Sequence, residues 1–300
     1  MEHKVDGGKY AVKKLKENGE HNAVTKVQEA ERMCHLLHGN VCRYYNAWQE
    51  SGVVHMRMEL CDKNLPAWIR RRNNLLFGNC SEPPEPTDKI LEDGWGWVLP
   101  DRAVNAGGAR SSEQMWFKGV KAQGTNDFLK GLLKGLRYLH VECNLAHRDL
   151  HSGNVLLKFN TALRAVTAKI CDFGQASVKI SGSSNATDDD LKNVGKIMVH
   201  MYYPLSSGDL KTGKLLSRLQ ESSRNHETEL NSDFHLMWPD QASWIRRLLV
   251  RSNDEKKPSA AQMLDEGMRS ESETFPSKKY RKGREDGACY QPVACYQHVA

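Results

Sequence analysis

Residues 146–157, Ala-His-Arg-Asp-Leu-His-Ser-Gly-Asn-Val-Leu-Leu, constrain this 300-residue chain more than any other stretch. They set a carboxylate, Asp149, and an amide, Asn154, five residues apart on one polar turn. A carboxylate so placed can accept the proton of a hydroxyl group, and the amide can bend back toward a metal ion. Eighteen residues beyond Asn154 comes Ile-Cys-Asp-Phe-Gly-Gln-Ala, where Asp172 is a second carboxylate and Phe173 an apolar anchor that fixes its direction. The second segment alone would be an ordinary turn, whereas the first is specific by itself. In this order and at this interval they describe a proton acceptor beside two oxygen ligands for a cation that neutralises phosphate charge.

These two segments match the H-R-D-L-x-x-x-N and D-F-G patterns of the protein kinase superfamily, and the chain resembles that superfamily over roughly residues 1–268. The resemblance assigns further positions. Tyr-Ala-Val-Lys-Lys at 10–14 matches the V-A-I-K strand, so Lys13 is expected to contact the α- and β-phosphates. It needs an acidic partner on the following helix, for which Glu29 is favoured and Glu31 is the rival. Met-Arg-Met-Glu-Leu-Cys at 56–61 is expected to lead into the segment linking two lobes, with backbone groups from Glu59 to Cys61 meeting adenine and Met58 guarding the pocket behind it. Arg148 and His151, which flank Asp149, join the catalytic set. Asp190 and Gly195, in Asp-Asp-Asp-Leu-Lys-Asn-Val-Gly, match the opening of a buried helix whose Asp braces the catalytic turn, although three acidic residues would also cap any helix.

The order of elements agrees with an α+β, two-lobed kinase-like fold: a small β-rich N-lobe, lacking the first strand and the glycine-rich loop, and a helical C-lobe. Strands are predicted at 8–14, 42–48 and 53–60, and helices at 23–37, 64–72, 128–140, 190–203, 209–221, 240–251 and 259–267. Residues 144–190 are expected to be mainly loops. Residues 73–124 mix Asn, Gly, Pro and Ser without lasting period, which suggests an insertion. The kinase domain is therefore expected over 1–268, with N-lobe 1–60, insert 73–124 and C-lobe 125–268, followed by a disordered basic tail over 269–300.

Within the superfamily, Lys-Val-Asp-Gly-Gly-Lys-Tyr-Ala-Val-Lys-Lys-Leu at 4–15, Gly-Asn-Val-Cys-Arg-Tyr-Tyr-Asn-Ala-Trp-Gln-Glu at 39–50 and Met-Arg-Met-Glu-Leu-Cys-Asp-Lys-Asn-Leu at 56–65 look like the kinases of the translation initiation factor 2 alpha subunit. The long insert before Phe128 strengthens that likeness. It implies ATP and Mg2+ as cofactors, with Asn154 and Asp172 on the metal, Ser/Thr specificity, and a role in stress-linked translational control. It also allows a homodimer. Four departures weaken it. A G-x-G-x-x-G loop would lie ahead of Met1, so phosphate cover is expected to be missing and truncation is suspected. His151 stands where Ser/Thr kinases usually carry Lys. Only eighteen residues separate Asp172 from Asp190, with no A-P-E. Lys257 replaces the Arg that normally pairs with that missing Glu.

Composition excludes little else. A formal charge of +6 suits a protein handling phosphates but is too weak to argue for nucleic acid. The basic runs at 70–72 and 278–284 are more simply solvated faces. None of the eight cysteines has CxxC spacing, so no zinc site is expected, and the thiols are expected to be reduced and mostly buried in a cytoplasmic protein. No run of 18 apolar residues could cross a membrane. Two functions stay open: a Ser/Thr kinase acting on a protein substrate, and a kinase-shaped module that binds nucleotide with little or no turnover.

Overall fold

Antiparallel pairing organises the first third of the chain. Strands β1 (Tyr10–Lys16), β2 (Tyr44–Glu50) and β3 (Val53–Glu59) form a sheet in the order β1-β3-β2. The register sets Lys13 opposite Met56 and Ala11 opposite Met58. β2 and β3 are joined at Ser51 and Gly52, both at positive φ, which gives the tight reversal a hairpin needs. The computed structural model describes residues 7–16, 30–76, 83, 122–160, 162–163, 165–178, 185–202, 238–249 and 257–266. Glu29, the expected helix at 209–221, the segment 269–300 and nearly all of 73–124 lie outside these. Residues 1–268 form one unit and 269–300 a second.

Beyond β3, a short strand β4 (Lys63–Asn64) leads into α1 (Leu65–Leu76). Asn64 caps this helix by accepting the Ala67 amide at 2.8 Å, and Pro66 suits its first turn, where no intrahelical partner exists for an amide. The helix runs to Leu76, four residues past the expected end, so it occupies the start of the segment anticipated as an insertion. Helix α2 (Ala122–Arg137) likewise begins before 125 and ends earlier than His140. Its last turn widens into a π-turn at Tyr138–Glu142, closed by the Cys143 amide donating to the Tyr138 carbonyl at 3.0 Å.

Residues 144–190 are not mainly loops. They carry β5 (Leu145–Ala146), a hairpin of β6 (Val155–Asn160) and β7 (Ala165–Ile170), and β8 (Ser177–Val178). β4, β6 and β7 make a second sheet, and β5 pairs with β8. Ala168 and Ile170 of β7 are buried beneath α2, and Val155 and Leu157 of β6 are buried where that strand meets α1, which is why these short segments settle as strands. Helices α3 (Asn185–Tyr202), α4 (Pro239–Leu249) and α5 (Ala260–Glu266) complete a helical region. At α5, Ser259 and Gln262 exchange side-chain-to-amide bonds of 3.2 and 2.8 Å, a capping box.

The core joins both regions: Met33, Met56, Trp68, Leu132, Leu136, Leu157, Phe173, Val194 and Ile245 are all buried in it. Residues 40–42 run alongside the end of β7, with Ile170 donating to the Asn40 carbonyl and Cys42 donating to the Ile170 carbonyl at 2.9 and 2.8 Å. No helix among the described residues is long and apolar enough to cross a membrane.

Candidate active site

The turn between β5 and β6 presents Arg148, Asp149 and His151 to solvent while its backbone is fastened from behind. Asp190 of α3, fully buried, does the fastening. Its Oδ2 accepts the His147 amide and its Oδ1 the Arg148 amide, both at 2.8 Å, and His140 Nε2 donates to Oδ2 at 2.8 Å. A buried carboxylate with three charge-assisted donors is stable where an unpaired one would not be. These bonds hold Arg148 at φ 65°, a left-handed conformation that a residue with a Cβ adopts only when its surroundings impose it.

His147 couples this turn to the second motif. Its Nε2 donates to the Cys171 carbonyl at 3.0 Å and its Nδ1 accepts the Asp149 amide at 3.3 Å, so the ring is neutral with its proton on Nε2. Burial lowers its pKa below the ordinary value, against the opposing pull of the Cys171 carbonyl and of Asp190. Phe173, also buried, packs its ring 5.0 Å from the imidazole. Between the motifs, the Cys171 amide donates to the Asn154 carbonyl at 3.0 Å.

Lys13 Nζ lies 2.8 Å from Asp172 Oδ1, an ion pair spanning 159 residues of sequence. Asp172 also sits at φ 65°. Burial alone would raise its pKa, but the hydrogen bond and charge of Lys13 outweigh burial and hold the carboxyl below its usual range. On the other side, Asn154 Nδ2 donates to the Asp149 carbonyl at 2.8 Å and reaches Asp149 Oδ2 at 3.4 Å. The contacts thus run unbroken from Lys13 to Asp172, through the adjacent Cys171 to Asn154, and on to Asp149.

The donor chemistry fits a divalent cation. With Asn154 Nδ2 committed to Asp149, its Oδ1 is the atom left to ligate, and Asp172 is anionic at neutral pH; both offer the hard oxygen that such ions take. His151 is turned differently. Its Nδ1 accepts the Gly153 amide at 3.0 Å, so its Nε2 carries the proton and faces Asp149 Oδ2 at 4.0 Å.

Other anticipated residues are less directly engaged. Met58, next to last in β3, is partly buried against the core. The Glu59 carboxylate pairs with Lys169 at 2.8 Å, and Cys61 lies against Cys42. Glu31 is exposed on the helical run 30–34. Lys257 donates to the Leu248 carbonyl at 2.5 Å, capping the end of α4. Sequence reasoning named Asp190 but missed His140 and His147 as its partners; a histidine in an apolar helix such as Leu-Arg-Tyr-Leu-His was the available signal.

A family model described as protein tyrosine and serine/threonine kinase matches residues 2–199. The chain belongs to the protein kinases. Membership brings the two-lobed α+β fold and a general requirement for ATP and a divalent metal. Among curated relatives, the interferon-induced, double-stranded RNA-activated protein kinase of Mus musculus is 24% identical over 192 residues, covering 58% of this chain and 27% of that protein. The eIF-2-alpha kinase GCN2 of Arabidopsis thaliana is 23% identical over 340 residues, covering 97% of this chain and 25% of that protein. The membrane-associated tyrosine- and threonine-specific cdc2-inhibitory kinase of Drosophila melanogaster is 28% identical over 189 residues, covering 62% and 26%. This kinase chain spans about a quarter of the length of these relatives.

Proposed function

We propose that this kinase transfers the γ-phosphate of ATP to a serine or threonine hydroxyl of a protein, and that its substrate is the alpha subunit of translation initiation factor 2, in a cytoplasmic, stress-linked control of translation. The observation that carries the reading is the unbroken set of contacts linking Lys13, Asp172, Asn154 and Asp149. The substrate rests on the likeness of the N-terminal motifs and on the name of the Arabidopsis relative, an eIF-2-alpha kinase.

In this reading Asp149 accepts the hydroxyl proton, and its position follows from the amides that Asp190 holds. Lys13, extended across the cleft to Asp172, supplies an ammonium to the α- and β-phosphates. Glu29 is its expected partner. Asn154 and Asp172 hold Mg2+, which would supply charge neutralisation at the phosphates. Backbone groups from Glu59 to Cys61 meet adenine, with Met58 behind it. Arg148, strained and exposed, and His151 border the Asp149 carboxylate.

The test is radiolabelled phosphate transfer to the factor 2 alpha subunit by the chain and by Asp149→Asn. The expected loss is about 100-fold or more, the range of a removed general base. Equal background from both would end the catalytic reading.

One observation favours a second reading, a nucleotide-binding module with little turnover. His151 offers no ammonium to phosphate, and its ring is tied to the Gly153 amide. That reading expects ATP with Mg2+ to raise the melting temperature while no phosphate is transferred, and expects His151→Lys to increase transfer.

A further inference from the structure

Cys42, at the entry to β2, meets the segment after β3 edge-on. The Cys42 thiol donates to the Glu59 carbonyl at 3.7 Å, and Cys42 is itself fixed by the bond from its amide to Ile170. Cys61 lies two residues beyond Glu59 and hydrogen-bonds the Cys42 thiol. The Glu59 carboxylate is held by Lys169 at 2.8 Å and accepts the Arg43 amide at 3.3 Å. The two sulfurs and a Glu59 carboxylate oxygen lie within 4.8 Å of one another, with Cys42 buried and the other two residues half-buried. We propose that Cys42, Cys61 and Glu59 form a binding site for a thiophilic divalent cation, of which Zn2+ is the foremost instance.

Three physical arguments carry this. The first is donor type: two thiolates and a carboxylate suit zinc, with a water completing four-coordination, and suit hard ions such as Mg2+ poorly. The second is geometry. Around tetrahedral zinc, with bond lengths of about 2.3 Å to sulfur and 2.0 Å to oxygen, ligand atoms stand about 3.5–3.8 Å apart. Atoms within 4.8 Å of one another therefore need to close by at most about 1.3 Å. The third is charge. Two thiolates and a carboxylate carry three negative charges, which a divalent cation and the Lys169 ammonium cancel, and Lys169 also fixes the carboxylate's direction.

Binding of the cation releases the two thiol protons. Because the site staples the entry of β2 to the segment proposed to meet adenine, its occupancy would stiffen that segment. Binding itself does not depend on the kinase reading.

The experiment titrates the reduced, chelator-stripped 300-residue chain with Co2+ and then with Zn2+. The expected result is one equivalent of Co2+ producing thiolate-to-cobalt charge-transfer absorption with the d–d intensity of four-coordination, displaced by Zn2+. Zn2+ should also raise the melting temperature by several degrees. Cys42→Val, which fills the buried space with an apolar side chain, should weaken binding at least tenfold and abolish the Zn2+ shift. Cys61→Ser, on a half-buried position, gives the same reading should Cys42→Val fold poorly. Charge-transfer absorption of unchanged strength in both variants, or its absence from the unaltered chain, would overturn the site.

Discussion

Asp190 holds the backbone amide of Arg148 at 2.8 Å across 42 residues of chain, from a carboxylate with no exposure to solvent. The catalytic turn is therefore positioned from the helical region rather than by its own sequence. Substituting Asn keeps one oxygen but turns an NH2 group toward a donor. Asp190→Asn should destabilise the chain by about 2–4 kcal/mol, the cost of breaking a buried charged hydrogen-bond network. Thermal denaturation checks this, and a melting temperature unchanged within a degree would contradict it.

Lys13 is what keeps Asp172 anionic below the usual carboxylate range. Lys13→Met leaves burial opposed only by the weaker pull of the Gly174 amide and of His147, so the Asp172 carboxyl should titrate at higher pH, visible in its side-chain carbon resonance. Phosphate transfer should fall about 100-fold or more, as when a preorganised charge partner of a transferring group is removed. A chain whose Asp172 titrates unchanged would show that the ion pair is incidental.

His147 sets a pH dependence of known sign. Its folded pKa lies below the ordinary 6.5, so the unfolded chain takes up a proton there before the folded chain does. The stabilisation is fully present above pH 6.5 and is lost as pH falls from there through the lowered folded value. Asp190, Asp149 and Asp172 face the ring and oppose the shift without cancelling it. His147→Gln removes this titration, so its melting temperature should vary less between pH 6.5 and the onset of carboxylate protonation. Parallel curves for the two proteins would refute the assignment.

Gly135 lies where α2 crosses residue 40. A Cβ there would stand 2.9 Å from the Asn40 carbonyl oxygen and 2.9 Å from Ile170 Cδ1. Alanine in a helix gains about 1 kcal/mol over glycine in intrinsic propensity. The clash is with backbone, which yields poorly, and overpacking typically costs about 1–3 kcal/mol. Gly135→Ala should therefore be net destabilising by roughly 1 kcal/mol in denaturant unfolding. A stabilised variant would mean that α2 can shift away.

Much of the fold was legible where local pattern and packing agree. The amphipathic run around Leu132, Leu133 and Leu136 made α2 plain, and the strand expected at 53–60 is β3. The hairpin β6–β7 was not legible, because Val-Leu-Leu-Lys-Phe-Asn and Ala-Val-Thr-Ala-Lys-Ile are too short for a period and become strands only through packing against helices distant in sequence, β7 under α2 and β6 against α1. The π-turn at 138–142 was hidden for a related reason: it lies at the end of a helical pattern and is closed by a backbone bond from Cys143.

The sequence by itself determined the chemistry on offer, since a proton acceptor, an amide and a carboxylate at 149, 154 and 172 need only covalent order to be recognised. Tertiary structure alone decided which groups meet: Lys13 with Asp172, Asp190 with the amides of 147 and 148, and Cys42 with Cys61. The physical reason is reach. Hydrogen bonds and ion pairs act over about 3 Å, and which distant residues come that close depends on how the apolar core packs the two regions together.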